Sequence, residues 1–135
     1  MNRPPIRRLT PTAALLAMVF LGLGKLHAQV VITHPSVTLT SADIREVYLG
    51  DKKLTGSTKL VPVDNSAAQD VFLSKHMQLD AAKYASLWTK KSFREGITAP
   101  AMKSSDAEVL DFVKRTPGAV GYVKTPGPGV NVVSL

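Results

Sequence analysis

An α/β sandwich built on one mixed sheet is the fold that this sequence predicts, and three observations predict it. Short valine-rich apolar runs are bounded by turn residues. Capped, amphipathic helix openings lie between those runs. The stretch behind a leader-like start is long enough for one hydrophobic core and too short for two.

The leader comes first in the chain. Arg3, Arg7 and Arg8 precede an apolar run, AALLAMVFLGLG at 13–24, and Leu26-His27-Ala28 offers a small residue at a cleavage position. This order of charge, apolar run and small residue is that of a secretory signal, expected to cover residues 1–28. The run is shorter than the roughly 20 residues a membrane-spanning helix needs. Removing 28 of the 135 residues leaves 107, the single domain expected at 29–135. It also removes four of the 17 basic residues and none of the 10 acidic ones, so the net charge falls from +7 to +3. Most of the basicity is therefore targeting. With no cysteine in the chain, neither a disulfide nor a lipid-modified cysteine is available. A periplasmic protein without stable membrane insertion is the expectation.

The first strand is expected at 30–33. Thr40 and Asp43 then make a capping box, Leu39 and Ile44 a hydrophobic staple, and Ile44, Val47 and Tyr48 one apolar face, which predicts a helix over 41–49 closed by Gly50. A second strand is expected at 59–63, where Pro62 argues for an edge position or an irregular strand end. Ser66 and Gln69 read as an S-x-x-Q capping box for a helix running to about residue 76. Asp80 caps the next helix, with Leu79 and Tyr84 as staple and Tyr84, Leu87 and Trp88 as the buried stripe. Lys90, Lys91 and Arg94 suit the negative end of that helix. Ser105 and Glu108 open a fourth helix that Thr116-Pro117-Gly118 stops. Strands at 119–123 and 130–133, separated by Thr125-Pro126-Gly127-Pro128-Gly129, complete the set.

The chemistry-bearing stretch is VPVDNSAAQDVF at 61–72, which passes from strand through a polar corner into a helix opening. Such a corner aims backbone N–H groups at one point, where an oxyanion can sit. The candidate ligand-binding residues are Ser66, Ala67 and Ala68, through those N–H groups, and Asp64. An exposed helix start favours an anion by about 0.3 to 1 kcal/mol. A carboxylate about 4 Å away opposes it by roughly 4 kcal/mol at an effective dielectric of 20, so Asp64 must point away or accept a hydrogen bond from a protonated phosphate oxygen. The competing reading of Ser66 is an ordinary helix cap.

Other chemistries find little support. Beyond the leader the histidines are His34 and His76, without metal-ligand spacing to each other or to a carboxylate. Ser66, His76 and Asp64 could be drawn as a triad, but no nucleophile elbow accompanies them. The modest charge and the placement of the aromatics on apolar faces argue against nucleic acid. No cofactor, metal or catalytic residue is expected, and Phe72, Tyr84 and Trp88 read as core.

Four segments in order carry a resemblance: DIREVYLG at 43–50, KLVPVDNSAAQDVF at 59–72, YASLWTKKSFREG at 84–96 and VKRTPGAVGYV at 113–123. Together they resemble the substrate-binding proteins of phosphate ABC transporters, a periplasmic binding protein-like superfamily. The resemblance implies one lobe of a type 2 fold, a mixed sheet flanked by helices, with the anion in a cleft between lobes. Ser66 matches the family's motif serine and Phe72 its aromatic, whereas Pro62 stands at the arginine position and Ala67 and Ala68 replace a glycine and a threonine. Two functions follow as expectations. One is an exported solute-binding-like protein that holds phosphate or a similar oxyanion at the corner. The other is a ligand-free protein-interaction module derived from one lobe, its partner another protein or a second copy of the chain.

Overall fold

A computed structural model describes residues 29–135; the expected signal at 1–28 lies outside them. Its elements are β1 (Val30–Thr33), α1 (Ser41–Tyr48), β2 (Leu54–Thr55), β3 (Thr58–Lys59), β4 (Val61–Asn65), α2 (Gln69–Phe72) continuing as a π-helical turn (Leu73–Met77), α3 (Ala81–Glu95), β5 (Ala101–Lys103), α4 (Asp106–Arg115), β6 (Ala119–Val123) and β7 (Asn131–Val133).

Five strands form one mixed sheet in the order β5-β4-β6-β1-β7. β4 runs parallel to both β5 and β6, while β1 lies antiparallel between β6 and β7. The period-two alternation of side chains sorts the core into two layers. Val31, Val120 and Tyr122 face one side, where they pack with Ile44, Val47 and Tyr48 of α1, Phe72, Leu73 and Met77, and Tyr84 and Trp88 of α3. Ile32, Val63, Ala119 and Val123 face the other, against Val109 and Val113 of α4. This is the α/β class with helices on both faces of a mixed sheet, as expected from the sequence.

The caps explain where the helices begin. Thr40 and Asp43 form the reciprocal box, Thr40 N–H donating to Asp43 Oδ2 at 2.9 Å and Asp43 N–H to Thr40 Oγ1 at 3.3 Å. Asp80 Oδ1 accepts from Lys83 N–H at 2.7 Å, and α3 ends at left-handed Gly96. Ser105 Oγ accepts from Glu108 N–H at 3.2 Å, while the Glu108 carboxylate reaches back to Ser104 N–H, one residue earlier than a strict box requires. Lys91, in the penultimate turn of α3, donates to the Leu49 carbonyl and pairs with Asp51. Gly121 lets α4 lie directly on β6: a Cβ there would come within 2.4 Å of Val109 Cγ1.

The structure corrects two local readings. Ser66 is not the cap of α2; the N-cap is Ala68, which has no side-chain cap bond, and the Ser66 hydroxyl instead points at the Ser104 carbonyl, 3.5 Å away. The strand expected at 59–63 begins at Val61 and continues to Asn65, because residues 58–59 turn away to pair with 54–55 as a small hairpin. β4 is an interior strand, yet the irregular-end reading of Pro62 holds. β6 pairs with Val61 and Pro62, while β5 begins opposite Val63. Val61 N–H bonds Gly118 O on the β6 side, so the next residue in the pleat turns its nitrogen to the side without a strand. β5 had no sequence signal, being three residues long and mostly exposed.

A corner closed on itself

The parallel strands β4, β5 and β6 end together at Asn65, Lys103 and Val123, and the candidate corner lies at that end. Asn65, fully buried, organises it. Its Oδ1 accepts from Ala67 N–H at 3.1 Å; its Nδ2 donates to Asp106 Oδ1 at 2.8 Å and to the Tyr122 carbonyl at 3.0 Å. Its own carbonyl accepts from Ala68 N–H at 3.0 Å, and Ser66 N–H donates to Lys103 O at 2.9 Å. All three N–H groups that the sequence points at an oxyanion therefore have protein acceptors. The donors left in the first turn of α2 belong to Gln69, Asp70 and Val71, with the acidic side chain of Asp70 in the same turn.

The neighbouring helix start is occupied in the same way. Asp106 Oδ2 accepts from Lys124 N–H at 3.0 Å and Thr125 N–H at 3.2 Å, so the first residue of α4 ties the chain leaving β6 to the chain leaving β4. Bonds from Ser104 hold the Glu108 carboxyl below the usual carboxylate range. Gln29 closes the β1 side of the corner, donating Nε2 to the Ala68 carbonyl at 2.9 Å.

Asp64 points away from this corner and into the core. Tyr122 donates its hydroxyl to Oδ1 and Tyr84 its hydroxyl to Oδ2, both at 2.9 Å, and the residue is 2% exposed. Burial pushes the carboxyl up to about 6, against the lowering effect of the Tyr122 and Tyr84 bonds. Burial, then the Asp64 charge, raise both tyrosines. Phe72 stacks on Tyr122 with ring centroids 4.0 Å apart, and Tyr48 donates to the Val63 carbonyl at 2.8 Å. Phe72, Tyr84 and Trp88 are core residues, as the sequence suggested.

Of the four predicted site residues, Ser66 and Ala67 lie on the surface of the corner, Ala68 is buried at the start of α2, and Asp64 is enclosed behind them. Ser66, His76 and Asp64 share no hydrogen bond: Asp64 is held by tyrosines, and the His76 ring lies against Phe72 at 5.7 Å. Among the described residues no group of three or more His, Cys, Asp or Glu is placed to hold a metal ion, and no helix is long and apolar enough to cross a membrane. The residue that sequence reasoning missed is Asn65. Its signal was the D-N-S run itself, since asparagine readily bonds a backbone N–H two residues on.

No protein-family model matches the chain, and no curated protein matches it. Solved structures do. PstS from Borrelia burgdorferi is similar over 79% of this chain and 46% of its own, at 18% identity and a TM-score of 0.51. An ABC-type phosphate transport receptor from Vibrio cholerae is similar over 78% of this chain and 45% of its own, at 14% identity and a TM-score of 0.49. The chain thus spans about half the length of the structures it matches. Its mixed sheet flanked by helices is the fold of one lobe of a periplasmic binding protein of the PstS type.

Proposed function

We propose that this protein is an exported, binding-protein-like module whose strand-end corner recognises a partner protein and does not enclose free phosphate. The observation that carries the reading is the occupancy of the corner: the N–H groups of Ser66, Ala67 and Ala68 already have protein acceptors. An oxyanion there would have to displace the Asn65 side chain and the Lys103 carbonyl, losing hydrogen bonds worth about 1 kcal/mol each for a site that also lacks an arginine at Pro62. What remains on the surface is the exposed pair Ser66 and Ala67 beside exposed Ser104, which is open to contact with another chain. No reaction is assigned to it.

A photo-crosslinking residue at Ala67, with one at Phe93 on the far end of α3 as control, tests the proposal in the native cell. A discrete adduct from position 67 alone supports it. Equal labelling from both positions, or none from 67, overturns it. A self-adduct would identify the partner as a second copy.

One observation favours the oxyanion reading enough to test it alongside. Because the Asp64 carboxyl is raised to about 6, it is neutral in mildly acidic solution, and its repulsion of an anion near Ser66, Ala67 and Ala68 disappears there. Calorimetry with phosphate and with sulfate at pH 5 and pH 8 separates the readings. Saturable heat with phosphate, stronger at pH 5, would replace the interaction reading with an oxyanion site; silence at both pH values supports the partner.

A further inference from the structure

At the opposite end of β4 the sheet is open. β5 begins at Ala101 opposite Val63, so Val61 and Pro62 have no strand on that side, and residues 97–100 arc past them. Between lies a groove of about 530 Å³, within the size range of small-molecule sites. Buried Trp88, Val63 and Leu60 line it, together with partly exposed Ile97 and Phe112. Gly50 is what admits Trp88 so closely: a Cβ at that position would meet the indole at 2.8 Å.

The charges around the groove are one-sided. Lys52, Lys53 and Lys59 line it, and no acidic side chain does. Lys52 is paired with Asp43 at 3.3 Å. Lys53 and Lys59 are exposed at the two feet of the small hairpin, and among the described residues neither has a salt-bridge partner within 4.0 Å. Burying an ammonium is costly, but a lysine rim over an apolar floor is complementary to an anionic head carried on an apolar body. A peptide laid along the strand is a poorer occupant. Pro62 turns a nitrogen without a hydrogen toward the groove, so β4 lacks there a donor that an added strand would use.

We propose that this groove is a binding site for a small anionic amphiphile, a medium-length acyl or alkyl chain with a carboxylate or phosphate head. The chain lies over Trp88 and Ile97, and the head is met by Lys53 and Lys59. The site is separate from the strand-end corner and does not rest on how that corner functions.

The protein carries one tryptophan, and it lies in this groove, so its emission reports occupancy. Dodecanoate, dodecyl phosphate and dodecylamine, each titrated below its micelle concentration, test the proposal. The expected result is a saturable emission change with both anions at micromolar concentration and at least tenfold weaker binding of the amine. Lys53→Glu with Lys59→Glu should reverse that preference. Ala99→Trp would obstruct the groove from an exposed position; because it adds a second fluorophore, its dodecanoate binding is read by calorimetry and is expected to be lost, with the melting temperature unchanged. Equal binding of anions and amine, anion binding that survives both variants in the folded state, or no binding of either anion overturns the proposal. Tighter binding of an acidic, apolar peptide than of dodecanoate also overturns it, in favour of a protein occupant.

Discussion

The two ends of β4 differ in whether they leave room beside the strand for another molecule. At Asn65 the strand runs into a corner where the three following N–H groups, the Asn65 amide and the Asp106 carboxylate are bonded to one another or to neighbouring backbone. At Val61 and Pro62 the strand borders a groove with an apolar floor and a lysine rim. The corner sits where the sequence resemblance places a ligand, yet its donors are spent on the fold. The groove is the part of the strand that leaves room for something else. A turn of backbone N–H groups becomes an anion site only if its donors are left free; here Asn65 takes those of Ala67 and Ala68, and the Lys103 carbonyl takes that of Ser66.

The sharpest way to break the groove end is Gly118→Ala. Gly118 has φ +83°, and a Cβ there would fall 2.0 Å from the Lys59 carbonyl oxygen at the approach to β4. Strain and overlap together predict a loss of about 3 to 4 kcal/mol, read by urea denaturation. The corner's equivalent is Asn65→Ala. It orphans the Ala67 N–H, one Asp106 oxygen and the Tyr122 carbonyl around a buried void, so a loss of about 2 to 3 kcal/mol is expected, with faster amide exchange at Ala67 than at the strands of the sheet.

Asp64 sharpens the comparison through pH. Its carboxyl titrates near 6 in the folded protein and near 3.8 when exposed, so between these values the folded state holds the proton and the unfolded state has lost it. Its contribution to stability is therefore largest below about pH 4, falls as pH rises through 6 and stays low above. Asp43 and Glu108, whose carboxyls are lowered, act in the opposite sense and lose stability as the solution becomes acidic; His76, lowered by burial, adds to that acid-side loss. Subtracting the parent from Asp64→Asn isolates the Asp64 contribution. The variant should gain about 1 to 2 kcal/mol relative to the parent on going from pH 4 to pH 7.5, as it no longer buries a charge. A difference that does not change with pH would show that Asp64 titrates normally.

The smallest effect belongs to Ser66→Ala. The Ser66 side chain is exposed, reaches the Ser104 carbonyl at 3.5 Å and caps nothing, so the expected change is within about 0.5 kcal/mol. A loss above 1 kcal/mol would restore it as a cap.

How much of this was legible depended on whether the signal was local. Thr40 with Asp43, Asp80 with Lys83, and Ser105 with Glu108 satisfy orphan donors within four residues, and each of these helix starts could be read directly. The strand at 30–33 is β-branched throughout and that at 119–123 is apolar and buried throughout, and the bounds of both match the structure. The S-x-x-Q pattern at 66–69 failed because Asn65, one residue earlier and fixed from outside the segment by Asp106, 41 residues on, takes the Ala67 and Ala68 N–H groups, while the Ser66 N–H goes to the Lys103 carbonyl. β5 is held by pairing to β4 and its composition says little, since two of its three residues are exposed on the edge of the sheet. Asp64 looked like a neighbour of the site from its sequence position. Tyr84 and Tyr122, 20 and 58 residues away, draw it inward.

The central claim is that the strand-end corner is closed by its own bonds. Amide-resolved NMR of the protein titrated with phosphate at pH 5 and at pH 8 tests it most directly. The account predicts that the Ser66, Ala67 and Ala68 amides are slow to exchange and that their resonances do not move as phosphate is added at either pH. Saturable shifts of those three amides, together with new protection on phosphate addition, would contradict it and make the corner an oxyanion site.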